Sequence, residues 1–175
     1  MHYGMCALLL ISVATSVAAQ EATTPEARLK ASGIELPAAP KPVANYVPAV
    51  RTGSLVFLAG QGPITNGVPV MTGKVGGELS EQDGYKAARL ATLNALAALR
   101  AEIGSLDRVR RVVKVTGFVN SAPGFSRQPA VVNGASDLLV QIFGEAGRHA
   151  RTSVSANELP FNIPVEIEII VEVAS

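Results

Sequence analysis

Tryptophan is absent from this chain and the other aromatics are sparse, so that aromatic residues fill only 5% of its 175 positions. Proteins that hold unpaired bases stack them on aromatic rings above a basic groove. Neither part of that arrangement is present: the net charge is +1, and the Lys and Arg residues are scattered apart from Arg108, Arg110 and Arg111. Nucleic acid is therefore not an expected partner. Cysteine occurs once, as Cys6, and histidine twice, as His2 and His149. One thiol closes no internal disulfide, and two histidines far apart in sequence make no metal-ligand spacing. No metal site is expected.

Long apolar runs are also lacking, with one exception at the start. Ala7 to Val17 is apolar and leads into Val17-Ala18-Ala19, the small-x-small pattern at which signal peptidase cuts. The run is too short to cross a bilayer. Its leading segment, MHYGMC, carries no Lys or Arg, so its positive charge comes from His2 and the amino terminus. Residues 1–19 are thus expected to be a signal peptide, which makes the mature protein periplasmic or secreted, free of the membrane and without cysteine. Cys6 precedes the apolar run and is not placed as a lipoprotein cysteine.

What remains is hydrophobic (48%) and lightly charged (17%), the composition of one globular domain. Residues 20–43 are rich in Ala, Pro and Glu. Arg28 to Ser32 suits a helical turn stopped by Gly33, and ELPAAPKPV suits an extended arm with no expected part in function. From Asn45 onward, NYVPAVRTGSLVFLAGQGP reads as two strands about a Thr52-Gly53-Ser54 turn. The glycines that follow, up to Gly77, fit no phosphate-binding spacing and read as turns.

Ser80 to Asp83 opens a long helix whose stripe is Ala88, Leu93, Ala95, Leu96, Leu99 and Ile103, stopped by Gly104. Arg108 to Asn120 is a strand with Val113, Val115 and Val119 on one face. Pro129 starts a second helix, buried through Val131, Val132, Ala135, Leu138, Leu139 and Ile142 and ended by Gly144. Each helix has one apolar stripe, so both must lie on a single face of the sheet, leaving residues of the Leu55 to Ala59 strand uncovered on the other.

The C-terminal stretch is RHARTSVSANELPFNIPVEIEIIVEV. Strict alternation in its final strand puts Val165, Ile167, Ile169, Val171 and Val173 on one face and Glu166, Glu168 and Glu172 on the other. Three carboxylates on one face suit a solvated sheet surface first; the sharper alternative is a cleft in which a guanidinium and a carboxylate face each other. The Arg, the strand after it, Leu-Pro and Val-Glu-Ile-Glu, in that order and spacing, resemble the C-terminal signature of the RidA/YjgF family of enamine and imine deaminases. The likeness extends from about Ala44 to Val173.

That resemblance implies an α+β, chorismate-mutase-like fold over residues 44–175: a mixed β-sheet with two helices on one face, assembled as a homotrimer around a central barrel. It implies hydrolysis of reactive 2-imino or 2-enamino acids to 2-keto acids in clefts between subunits, without a cofactor. Arg151 would bind the substrate carboxylate and Glu166 would position water. Tyr46 would bound the pocket, Asn133 falls on an Asn common in the family, and main-chain groups at Ala59, Gly60 and Ser153 would contact substrate. Ala59 replaces the family's usual Ser or Thr, Ser153 stands where many members have Cys, and His149 replaces a Pro. Histidine as a residue type ionises near neutrality, so His149 could assist proton transfer; a lone histidine in a turn is more often merely solvated. Two other functions compete: a non-catalytic module binding carboxylates or keto acids, and an endoribonuclease or translation inhibitor, which the missing basic patch disfavours.

Overall fold

The structure, a computed structural model, describes residues 24–41 and 44–174. The expected signal peptide at 1–19 lies outside the described residues.

The chain begins with helix α1 (Pro25–Ala31), capped by Thr24, whose hydroxyl accepts from the Ala27 amide at 3.3 Å. A hairpin follows, β1 (Ala49–Thr52) and β2 (Leu55–Leu58), and then a smaller one, β3 (Ile64–Thr65) and β4 (Val68–Pro69). Long helix α2 spans Glu81–Ile103, β5 Val109–Asn120, α3 Gln128–Phe143, β6 Ala150–Ala156 and β7 Val165–Val173. The main sheet runs β1-β2-β7-β5-β6; β5 and β6 are parallel and the other pairs antiparallel. It is the expected mixed sheet.

Local chemistry fixes the ends of α2. The Ser80 hydroxyl accepts from the Asp83 amide at 3.1 Å while the Asp83 carboxylate accepts from the Ser80 amide at 3.2 Å, a reciprocal cap that satisfies two otherwise orphaned donors. Gly104 ends the helix in a left-handed turn. The α2 stripe is buried except at Leu93, which is partly covered, and all six apolar positions expected for α3 are fully buried. Both helices pack on the face made by the alternate residues Val165 to Val173, each buried.

The opposite face has no covering layer among the described residues. It carries Val50, Phe57 and Ile170 in one cross-strand row, with Val50 54% and Phe57 41% exposed. Leu55 and Phe57 therefore point away from the helices, and Val56 and Leu58 point into the core.

The chain departs from the sequence-based expectation in three places. In β5 it is Val112, not Val113, that joins Val115 and Val119 in the core. Val112 pairs with Val171 and Lys114 with Ile170, so one extra residue sits in β5, and this bulge turns Val113 outward. The glycine-rich stretch after β2 is in part a hairpin, because Asn66 and Gly67 both adopt positive φ (52° and 79°), the turn that Asn-Gly favours between strands. Residues 25–31 form a helix docked on the domain: Leu29 is buried, the Glu26 carboxylate accepts from the Leu106 amide at 3.0 Å, and Arg100 pairs with Glu26 at 3.6 Å.

Candidate functional site

Beside the ends of β2 and β7 lies a mainly apolar cavity of about 860 Å³. Tyr46 and Pro48 form one wall, Ala59 to Gly62 the floor, the β3-β4 hairpin a second wall, and Pro160, Phe161 and Ile163 the third. Glu166 is the one carboxylate among the lining residues.

Three local features place Glu166 there. Alternation along β7 turns it to the uncovered face, opposite Phe118 of β5. The Gln61 and Ile167 main chains exchange two hydrogen bonds, of 3.0 and 2.9 Å, which pin the 59–61 segment beside it. Gly60 then supplies the space: a Cβ on this residue would stand 2.1 Å from Glu166 Oε1, so the carboxyl lies directly on glycine backbone. Half-buried, the carboxyl is pushed above its ordinary range, first by loss of solvent and then by the charge of Glu168 on the same face. A carboxyl tuned in this way is suited to take and return a proton under mild conditions. Among the described residues no hydrogen bond or ion pair holds it.

The amides named from sequence separate here. The Ala59 N–H donates to the Pro48 carbonyl at 2.9 Å and is spent in structure, whereas the Gly60 N–H has no partner among the described residues. The donor role expected of this turn narrows to Gly60. Tyr46, 47% exposed, belongs to the cavity wall and not to the core.

Arg151 and its partners form a second cluster. On β6, Arg151 aligns with the buried Val115, and Ser153 with Gly117. Both side chains therefore belong to the helix side of the sheet. The Arg151 Nη1 donates to Asn133 Oδ1 at 2.7 Å and to Ser136 Oγ at 3.0 Å, both on α3. Its Nε and Nη2 bond to no described residue and leave a forked donor edge of the kind that fits a carboxylate. The Ser153 hydroxyl is buried without a hydrogen-bond partner among the described residues.

Glu166 and Arg151 accordingly occupy opposite faces of one sheet. Register decides this, because Arg151 aligns with Val115 and Glu166 with Phe118, three residues further along β5. The cleft in which guanidinium and carboxylate face each other is not formed within one chain. The sequence-predicted residues fall into two groups, Tyr46, Ala59, Gly60 and Glu166 at the cavity, and Asn133, Arg151 and Ser153 between β6 and α3.

Four features of the site escaped the sequence. Asn94, in the middle of α2, is buried and its Nδ2 donates to the Gly62 and Ile64 carbonyls at 2.9 and 2.8 Å, holding the cavity floor to the helix. A polar residue inside an apolar helical stretch was its signal. Phe161 projects at the cavity rim, 66% exposed, in a left-handed conformation (φ 58°) that bulky residues rarely adopt and that costs on the order of 1–3 kcal/mol. Its neighbour Asn162, also left-handed, is braced by the Gly73 amide at 2.8 Å and by Asn120 Nδ2 at 3.1 Å. Residues 37–41, expected to be a silent arm, line the cavity instead. Ser136 is the fourth.

Comparison with known proteins follows the same lines. The family described as "YjgF/chorismate mutase-like, putative endoribonuclease" matches residues 26–173. The chain is 46% identical over 147 residues to Protein TCP17 of Trypanosoma cruzi, covering 83% of this chain and 92% of that one. It is 34% identical over 139 residues to a 2-iminobutanoate/2-iminopropanoate deaminase of Dermatophagoides farinae, covering 79% and 93%. Among solved structures it resembles a protein of unknown function from Agrobacterium tumefaciens, with TM-score 0.81 and 41% identity over 93% of this chain and 100% of that one.

Proposed function

This chain belongs to the RidA/YjgF family, and on that premise we propose that it hydrolyses 2-imino or 2-enamino acids to 2-keto acids and ammonia. The observation that carries the reading is the Glu166 carboxyl, raised in pKa and laid on Gly60 at the wall of an apolar cavity. The forked edge of Arg151 supplies the complementary group, a carboxylate anchor that orients a planar substrate.

In this reading copies of the chain associate through the uncovered sheet face as a homotrimer, so that Arg151 of one copy meets Glu166 of another. Burial of Val50, Phe57 and their neighbours favours that assembly. Water adds to the carbon of the protonated imine while Glu166 takes one of its protons, giving a neutral carbinolamine. Glu166 returns that proton to the nitrogen, the C–N bond breaks, and the hydroxyl proton passes to the departing ammonia, leaving a ketone and an ammonium ion. The Gly60 N–H stabilises charge developing at the reacting centre, and Tyr46 and Phe161 bound the substrate side chain. Residues 1–19 act as an export signal, so the substrate arises in the periplasm or outside the cell.

A semicarbazide competition assay tests the proposal. An amino-acid oxidase supplies the imine, and protein starting at residue 20 should suppress semicarbazone formation across a series of side-chain sizes. Ala59 in place of the family's hydroxyl, with its amide already engaged, favours a second reading, a carboxylate-binding module without turnover. Binding of a 2-keto acid with no effect on trapping of any imine would establish that alternative.

Glu166→Gln should separate activity from stability. Activity should fall by about 10²- to 10⁴-fold, the usual contribution of a positioned acid or base. Stability should move the other way. A carboxyl whose folded pKa lies above its unfolded value contributes stability below the unfolded pKa and loses it as pH rises through the folded one. Within one copy the charged Glu166 is thus a net cost at pH 7 that Gln removes. Dissociated subunits of the variant should therefore melt above those of wild type at pH 7 and lose that advantage near pH 4; a lower melting temperature of the dissociated variant at pH 7 would contradict the assignment.

A further inference from the structure

We propose that Ser136 and His149 are positioning residues, a hydrogen-bonded relay that fixes the orientation of the Arg151 guanidinium. The inference rests on the reading of Arg151 as the carboxylate anchor. It is carried by four contacts that agree in direction.

His149 Nδ1 lies 2.6 Å from the Gly147 carbonyl oxygen, which can only accept. In the neutral ring that contact places the hydrogen on Nδ1 and leaves Nε2 as an acceptor. Nε2 is 3.1 Å from Ser136 Oγ, so the hydroxyl must donate to it. With its hydrogen committed there, Ser136 Oγ presents lone pairs to Arg151, whose Nη1 donates at 3.0 Å. The order is Arg151 to Ser136 to His149 to Gly147, each group donating to the next.

Asn133 supplies the second stop, accepting from the same Nη1 at 2.7 Å. Two acceptors one helical turn apart on α3 therefore hold one nitrogen, which turns Nε and Nη2 outward as the free fork. Fixing a flexible side chain before the substrate arrives removes an ordering cost from binding. The relay requires a neutral imidazole, and burial first, then the Arg151 charge, depresses His149 against the opposing pull of the Gly147 bond. Ser136 has the same logic as a supporting group behind a ligand: it does not touch the substrate but decides where the touching group points.

Two measurements test the relay. The first is independent of activity: the ring nitrogen resonances of His149 in the full chain, told apart from those of His2 by their loss in His149→Ala. Wild type should show the Nδ1–H form at neutral pH, and the Nε2 resonance should shift in Ser136→Ala and again in Arg151→Gln. The second is a KM against kcat comparison with a carboxylate-bearing imine, together with the dissociation constant of 2-oxobutanoate. Ser136→Ala should raise both KM and that dissociation constant roughly tenfold, the loss expected for one hydrogen bond to a charged group, with kcat within about twofold. Ser136→Thr, which keeps the hydroxyl, should restore wild-type values.

Ring resonances indifferent to Ser136→Ala and Arg151→Gln would overturn the relay. So would a normal KM in Ser136→Ala beside an active wild type, while leaving the deaminase reading intact. A wild type that binds 2-oxobutanoate but hydrolyses nothing would sink the deaminase reading alone, since the effect of Ser136→Ala on binding would still report the relay. A wild type that binds no 2-oxobutanoate would overturn both.

Discussion

Replacing Arg151 with alanine should lower kcat/KM for a 2-imino acid by about 10²- to 10³-fold. Nε and Nη2, which bond to no described residue, are the open edge of a guanidinium that Asn133 and Ser136 hold by its other nitrogen. Two charge-assisted bonds to a substrate carboxylate, each about 1.5–3 kcal/mol before orientation effects, account for a loss of that size. Most of it should appear in KM, because the carboxylate is bound in the ground state as well as in the transition state. Lysine should restore only a small part, since an ammonium cannot form the fork. Stability should change little, for Arg151 is partly exposed and makes no ion pair among the described residues. The semicarbazide assay with Arg151→Ala and Arg151→Lys beside wild type checks this. An alanine variant with unchanged KM for carboxylate substrates would remove Arg151 from the site.

Gly134→Ala should be the most damaging small substitution in the fold. Alanine for glycine inside a helix ordinarily stabilises by up to about 1 kcal/mol. Here a Cβ would stand 2.0 Å from the Tyr85 carbonyl oxygen and 3.1 Å from the Arg89 amide nitrogen, both backbone atoms of α2. Backbone cannot rotate away, so α3 must lift from α2. Overpacking of this kind costs about 3 kcal/mol, and at 2–4 °C per kcal/mol the melting temperature should fall by roughly 6–12 °C. The damage should reach the site, because Asn133 and Ser136 flank Gly134 and would move with the helix away from Arg151. Thermal unfolding combined with 2-oxobutanoate binding measures both effects. A variant as stable as wild type would show that the two helices are not in backbone contact at this point.

The residues of the site were more legible in the sequence than their arrangement. Glu166 could be placed on the polar face of β7 by alternation alone, and the α2 and α3 stripes by their helical period, because both patterns repeat within one element. The Val113 assignment failed where that logic stops: a bulge depends on the partner strand, and nothing within RVRRVVKV marks which valine is the extra residue. Asn94 showed only as a polar residue in an apolar helical stretch and Ser136 not at all, since each acts on a segment remote in sequence. Phe161 lay in plain view in LPFNIP, yet no local rule assigns a phenylalanine a left-handed backbone; contacts from Gly73 and Asn120 to its neighbour impose it.

By itself the sequence determined the placement of α2 and α3 on one face of a sheet and the ends of those two helices, since periodicity and capping act over a few residues; its resemblance to the RidA/YjgF family implied the mixed sheet. Only the tertiary structure decided that the 37–41 segment walls the cavity, that the Ala59 amide is spent while that of Gly60 has no partner among the described residues, and that Arg151 and Glu166 lie on opposite faces. Those outcomes depend on strand register, and register is set by the packing of distant segments against one another.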